Sequence, residues 1–160
     1  MADEIEVTVK TTEPTTVAFL TCKGPYTQMG EVVPKIFGWM QQKGLEPVGP
    51  LTGVYFNSPL DVSEEELSWE VRIPVARTTP PQETDAMGVG VKQIGPQEIA
   101  VAMHKGPYQE VGPTHGAIAA WAAGNHYEIA GPPEELYLND PSTVPPEELL
   151  TQVRYPIKKK

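Results

Sequence analysis

The sequence predicts an α+β domain built from two pseudo-symmetric strand-strand-helix-strand-strand modules. Together they form an antiparallel sheet with helices on one face. Three observations carry this: an internal repeat, period-2 alternation in short segments, and one helical segment in each repeat. Lys23-Gly24-Pro25-Tyr26 recurs 82 residues on as Lys105-Gly106-Pro107-Tyr108. The same offset carries Ile36 onto Ile118, Trp39 onto Trp121, Gly49-Pro50 onto Gly131-Pro132, Asn57 onto Asn139 and Val71-Arg72 onto Val153-Arg154. The match needs no gap from Val7/Val89 to Pro74/Pro156. Two copies are too few for a solenoid, which needs at least about three. A single domain, 1–160, with internal repeats 5–75 and 87–157 and a polar, Pro-rich linker 76–86 is the expected organisation.

Each element has its own signal. Ile5, Val7 and Val9 alternate with Glu6, Thr8 and Lys10, the pattern of a half-buried strand. Val17–Cys22 follows, and Lys-Gly-Pro ends it because proline cannot donate to a strand ladder. From Met29 the period turns helical, with Val33, Ile36 and Met40 on one stripe and Gly44 as the stop. Val111, His115, Ile118 and Ala122 make the matching stripe in the second copy. Gly53–Asn57 and Glu135–Asn139 read as third strands, Trp69–Ile73 and Thr151–Tyr155 as fourth strands, each of the latter ended by proline. Lys158-Lys159-Lys160 reads as a solvated tail.

Composition excludes several classes. The chain of 160 residues has 12 Lys and Arg against 21 Asp and Glu, a net charge of −9. That balance argues against direct nucleic-acid binding and against anionic lipid surfaces. The longest apolar run, Ala117 to Ala123, is far short of the roughly 20 residues that span a bilayer. Cys22 is the single cysteine, which leaves no intrachain disulfide and fits a reducing, cytoplasmic setting. His104, His115 and His126 show no metal-ligand spacing, so no metal and no cofactor are expected. The serines lack the context of a nucleophile elbow, and Gly88-Val89-Gly90 lacks the helix of a nucleotide loop.

The third strands carry the candidate site. In Glu135-Leu136-Tyr137-Leu138-Asn139, successive side chains point to opposite faces. Leu136 and Leu138, with Val54 and Phe56 in the first copy, are expected to pack under the helices. Tyr55, Asn57, Glu135, Tyr137 and Asn139 then share the other face and line a central groove, with a carboxylate on one side only because Gly53 stands opposite Glu135. Glu70, paired with Gln152 across the repeat, is a further groove candidate. Trp39 and Trp121 flank the helix stripes, and Tyr26 and Tyr108 end their strands beside the groove mouth. The same pattern also suits an ordinary solvated sheet face and rim packing of the helices.

The Lys-Gly-Pro-Tyr turn before a Trp-bearing helix, the Gly-Pro turn before Glu135-Leu136-Tyr137-Leu138-Asn139-Asp140-Pro141 and the closing Val153-Arg154-Tyr155-Pro156-Ile157 resemble the gyrase-inhibitor-like (GyrI-like) small-molecule-binding family. That family shares its fold with the effector-binding domains of AraC- and MerR-type activators. The resemblance spans nearly the whole chain. It implies a groove for amphipathic, often cationic, organic molecules, with Glu135 as the charge partner. Some members resemble hydrolases of strained genotoxins that use this glutamate, which would make Glu135 catalytic. Relatives often close with Thr-Glu-Ile, where this chain has Thr151-Gln152-Val153.

Three functions compete on this reading. The first is a stand-alone small-molecule-binding protein of the effector-binding type, without a DNA-binding domain of its own. The second is a hydrolase using Glu135. The third is a protein-interaction role such as gyrase inhibition, with no particular partner indicated.

Overall fold

The computed structural model describes residues 5–160. The elements run in the expected order. The first copy gives β1 (Thr8–Thr11), β2 (Thr15–Lys23), α1 (Met29–Gln42), β3 (Leu51–Tyr55) and β4 (Ser68–Val75). The second gives β5 (Val89–Ile94), β6 (Glu98–Lys105), α2 (Gly112–Gly124), β7 (Tyr127–Ile129), β8 (Glu134–Tyr137) and β9 (Leu150–Lys159). The architecture is α+β, and every strand pairing described is antiparallel. One strand was not read from the sequence: β7, which pairs with the end of β9. That pairing also holds Lys158 and Lys159 in a strand, where a solvated tail was expected.

The chain divides into two compact units. The N-terminal unit is Glu13–Pro96; the C-terminal unit is Gln97–Lys160 with the strand that ends at Thr12. The strand order is β3-β4-β2-β5 in the first and β8-β9-β6-β1 in the second. Under the 82-residue offset these are the same order. The compact units therefore differ from the sequence repeats by an exchange of first strands. β1 leaves its own copy to pair with β6, and β5 pairs with β2.

In the N-terminal unit α1 covers one sheet face. Ile36, Trp39 and Met40 pack on Ala18, Leu20, Trp69, Val71, Ile73 and Val91. Trp39 Nε1 donates to Asp85 Oδ2 at 2.6 Å, so the Pro-rich linker supplies an anchor for the helix. The linker also bridges Gln82 to Val91 of β5 and buries Thr79. In the C-terminal unit α2 packs Ile118 against Ala100, Ala102, Val153 and Ile157. This core is the smaller, and Trp121 at its margin stacks on Tyr127 with ring centroids 5.4 Å apart.

Both Lys-Gly-Pro-Tyr turns depend on glycine. Gly24 and Gly106 have φ of 120° and 128°, a region that L side chains rarely adopt. Each turn re-aims the chain from the strand into the helix and places its tyrosine over the third strand of the same unit.

Cys22 is buried in the N-terminal core. Burial, and behind it the charge of Glu70, pushes its thiol up to about 11. A folded value above the ordinary 9.0 favours the protonated, folded state. The contribution is complete below pH 9.0 and disappears as pH rises through about 11. Urea melts across this range are expected to show wild type losing up to ~2–3 kcal/mol more than Cys22→Ala. Parallel stability–pH curves for the two proteins would contradict the assignment.

Candidate functional site

Directly paired residues of an antiparallel ladder share a sheet face. Glu135 pairs with Val153, and Val153 with Ala102. Both partners pack against Ile118 of α2, so Glu135 lies on the helix-covered face. Tyr137 shares that face. In the N-terminal unit Tyr55 pairs with Trp69 and likewise lies on the α1 side.

The expected faces of the third strands are therefore reversed. Val54 and Leu136 are buried, at 1% and 6% exposure, but on the side away from the helices. Phe56 and Leu138 lie beyond the strand ends and are exposed, at 45% and 40%. The alternation is as read. The apolar set was expected on the helix side, but the helix side of β8 holds the partly buried Glu135 and Tyr137, and its buried residue, Leu136, points the other way.

Beneath α2 the C-terminal unit holds a continuous polar network. His115 Nε2 lies 2.7 Å from Glu135 Oε2, and His115 Nδ1 lies 2.7 Å from the Tyr155 hydroxyl. Tyr137 donates from its hydroxyl to Glu135 Oε1 at 3.0 Å. The Tyr108 ring stands edge-on to Tyr137 at 5.3 Å. The Glu135 side chain is 14% exposed and that of His115 21%. The neutral imidazole satisfies the network in one arrangement: Nε2–H donates to Glu135, and Nδ1 accepts from Tyr155 O–H. Burial, then the Glu135 charge, pushes the Tyr155 phenol above its ordinary value, so it keeps its proton. Burial, and then Asp140, does the same for Tyr108.

The repeat shows that this network belongs to one copy alone. Val33, Gly53 and Ile73 stand where the second copy has His115, Glu135 and Tyr155. In the N-terminal unit the Tyr55 hydroxyl lies 2.6 Å from the place a Cβ on Gly53 would take, so a glutamate there would displace the ring. Tyr26 packs edge-on against Tyr55 and Trp69, and its hydroxyl donates to the Asn57 carbonyl. That unit has aromatic packing where the C-terminal unit has hydrogen bonds. His115 and Tyr155 were missed in the sequence as site residues. His115 sat at a core position of the helix stripe, and its replacement of Val33 was the available signal.

The remaining candidates fall elsewhere. Asn57 accepts from Ser68 N and donates to the Glu66 carbonyl; Asn139 does the same with Leu150 N and the Glu148 carbonyl. Both amides fasten the loop leading into the fourth strand. Trp39 is buried in the N-terminal core. Glu70 pairs in register with Thr21 and Val54, on the face away from α1. It is 2% exposed and surrounded by Arg72, Lys92 at 2.9 Å and Thr21 at 2.9 Å. Burial pushes its carboxyl up, but Lys92, Arg72 and Thr21 outweigh this and hold it below the ordinary value. Its counterpart Gln152 accepts from Arg154 Nε at 2.9 Å.

A cavity of about 530 Å³ opens beside β1 and β6, lined by Ile5, Lys10, Ala102, His104, Glu110 and Thr114 among others. None of Glu135, His115, Tyr137 and Tyr155 lines it. The network is the stronger site, because its polar groups converge. Among the described residues no cluster of His, Cys, Asp or Glu could hold a metal ion. No described helix is long and apolar enough to cross a membrane.

The profile of the GyrI-like small molecule binding domain matches residues 5–158. The chain belongs to that family. No curated protein matches it. Among solved structures, it is similar to the EcmrR C-terminal domain, with a TM-score of 0.82 at 17% identity over 98% of this chain and 99% of that one. It is also similar to a hydrolase from Listeria innocua, with 0.74 at 16% identity over 98% and 94%. SAV2435 bound to tetraphenylphosphonium gives 0.57 at 12% identity over 96% and 94%. At these identities the likeness shows the GyrI-like fold alone.

Thr151, the counterpart of Trp69, pairs with Tyr137 and His104 on the helix face. Its hydroxyl is buried with no hydrogen-bond partner among the described residues. An unsatisfied buried hydroxyl costs about 1–3 kcal/mol. Thr151→Val keeps the shape and removes that cost, so the variant is expected to be more stable by ~1 kcal/mol in urea melts. A destabilisation of that size would show that the hydroxyl has a partner.

Proposed function

We propose that this GyrI-like chain binds amphipathic organic molecules at the helix-covered face of its C-terminal unit, and that Glu135 is the charge partner of cationic ones. The observation that carries this is the Tyr155–His115–Glu135–Tyr137 network. Withdrawing a carboxylate from water is costly, and a core needs no such group. The N-terminal unit folds the same elements with Val33, Gly53 and Ile73 at these places. What the network provides is a carboxylate held at a fixed place beside the aromatic rings of Tyr137 and Tyr108. Aromatic surface with a few aimed polar groups is what small-molecule sites require. Those rings would add cation–π attraction of roughly 0.5–2 kcal/mol each. Of the sequence candidates, Glu135, Tyr137 and Tyr108 are assigned to the ligand.

A second reading is favoured by the same hydrogen bonds. In a hydrolase, Glu135 takes a proton from water, the hydroxide adds to an electrophilic carbon, and the broken bond's electron pair leaves with a proton. His115 then holds Glu135 in position. Incubation with a strained cyclopropane electrophile separates the readings: ring-opened product formed by wild type and not by Glu135→Gln supports the hydrolase.

Tetraphenylphosphonium is a suitable probe for the binding reading. Two unit charges 4 Å apart at an effective dielectric of ~20 attract by about 4 kcal/mol, and desolvation offsets much of it. Glu135→Gln is therefore expected to weaken the cation by ~1–3 kcal/mol near pH ~8, measured by calorimetry. A neutral aromatic of the same size loses much less. Equal affinity of both proteins for the cation would contradict the assignment.

A further inference from the structure

We propose that His115 is the specificity-determining residue of this site and selects the charge of its ligand through one proton. The inference rests on the binding reading above and goes beyond it. With His115 neutral, the His115–Glu135 pair carries one negative charge. With His115 protonated, the pair is neutral. A lipophilic cation is favoured in the first state and a neutral amphiphile of the same shape in the second.

The geometry makes both states available without moving a heavy atom. In the neutral state Tyr155 donates to Nδ1 across 2.7 Å. When Nδ1 gains a proton it donates to the same phenol oxygen, and the Tyr155 O–H rotates away. Nε2–H donates to Glu135 in both states. A phenol serves equally as donor or acceptor. The rotation of one hydroxyl hydrogen is the structural cost of the change.

Other titratable groups near α2 do not compete for this role. The helix carries no charged side chain besides His115. From β8 come Glu135 and Tyr137, and from β9 Tyr155. β6 turns Ala100, Ala102 and His104 to the helix face, and His104 Nε2 is engaged by the Pro107 carbonyl at 2.8 Å. β7 brings Tyr127, stacked on Trp121, and Glu128, which is exposed and 3.7 Å from Lys158. The turn before α2 brings Tyr108, a phenol that burial keeps protonated, and Glu110, which lies near Gly106 and His104 and lines the cavity beside β1 and β6. In the N-terminal unit Val33 occupies the corresponding helix position, so that unit has no counterpart of this histidine.

The test measures the affinity of the full chain for tetraphenylphosphonium and for neutral triphenylphosphine oxide, at pH about 8 and about 5.5, the range in which histidine changes charge. Wild type is expected to lose at least about tenfold in cation affinity at the lower pH, with the neutral probe changed less than about twofold. In His115→Gln the amide still reaches Glu135 but takes no proton, so the cation's affinity is the same at both pH values. Tyr155→Phe removes the acceptor of the added proton and moves the loss of cation binding to lower pH. It tests the same claim should the glutamine variant fail to fold. A pH effect that persists in His115→Gln, or is unmoved in Tyr155→Phe, overturns the proposal. A neutral probe that falls in step with the cation also overturns it. Cation affinity at pH about 8 that ignores Glu135→Gln instead defeats the binding reading itself.

Discussion

Glu135 sits on a strand beneath a helix, with only a seventh of its side chain exposed. A carboxylate so withdrawn must be surrounded by donors, because an unpaired one would neutralise or destabilise the fold. The C-terminal unit is arranged around that requirement. His115 comes from the middle of α2, Tyr137 from two residues along β8 and Tyr155 from β9. His115 and Tyr137 bond Glu135 directly, and Tyr155 bonds His115 behind it. His115 and Tyr155 stand where the N-terminal unit has the apolar Val33 and Ile73, and Glu135 stands where it has Gly53. The price is a smaller hydrophobic cluster, with five buried residues against thirteen among the described residues.

The other buried carboxylate follows the same rule to a different end. Glu70 is held by Arg72, Lys92 and Thr21, and Lys92 also lies over the Phe19 ring at 4.2 Å. Its charge is matched within its own unit by two cations. Glu135 has a histidine and the Tyr137 phenol, with the Tyr155 phenol on the histidine's other nitrogen, groups that can leave its charge uncompensated. That difference separates a structural ion pair from a site with charge to offer a ligand.

The repeat made most of the fold legible. Val33, Ile36 and Met40 gave α1, and the alternating apolar runs gave the strands, but β4 and β9 run on through Pro74 and Pro156, where proline was expected to end them. Pairing partners were not legible, since alternation fixes which side chains share a face and not which neighbour the strand takes. β1 therefore joined β6 rather than β2 without any sequence signal. The third strands were misjudged for a related reason. Leu136 and Val54 are apolar and buried, but they are buried on the side away from the helices. Glu135 and Tyr137 were read as a pair of neighbours on one face, as the structure has them. His115 was hidden by its place on an apolar stripe, although its offset from Val33 marked it as a departure between the copies. Asn57 and Asn139 kept equivalent places because both close the same loop.

The central claim is that binding occurs at His115 and Glu135 in the C-terminal unit. The chain has three histidines, His104, His115 and His126, which makes their ring resonances a compact set of reporters. Titrating tetraphenylphosphonium into histidine-labelled protein near pH ~8 is the most direct measurement. The account predicts that the His115 ring signals move with saturable dependence on the cation and that those of His126 stay in place. Saturable binding that leaves His115 unmoved would contradict it.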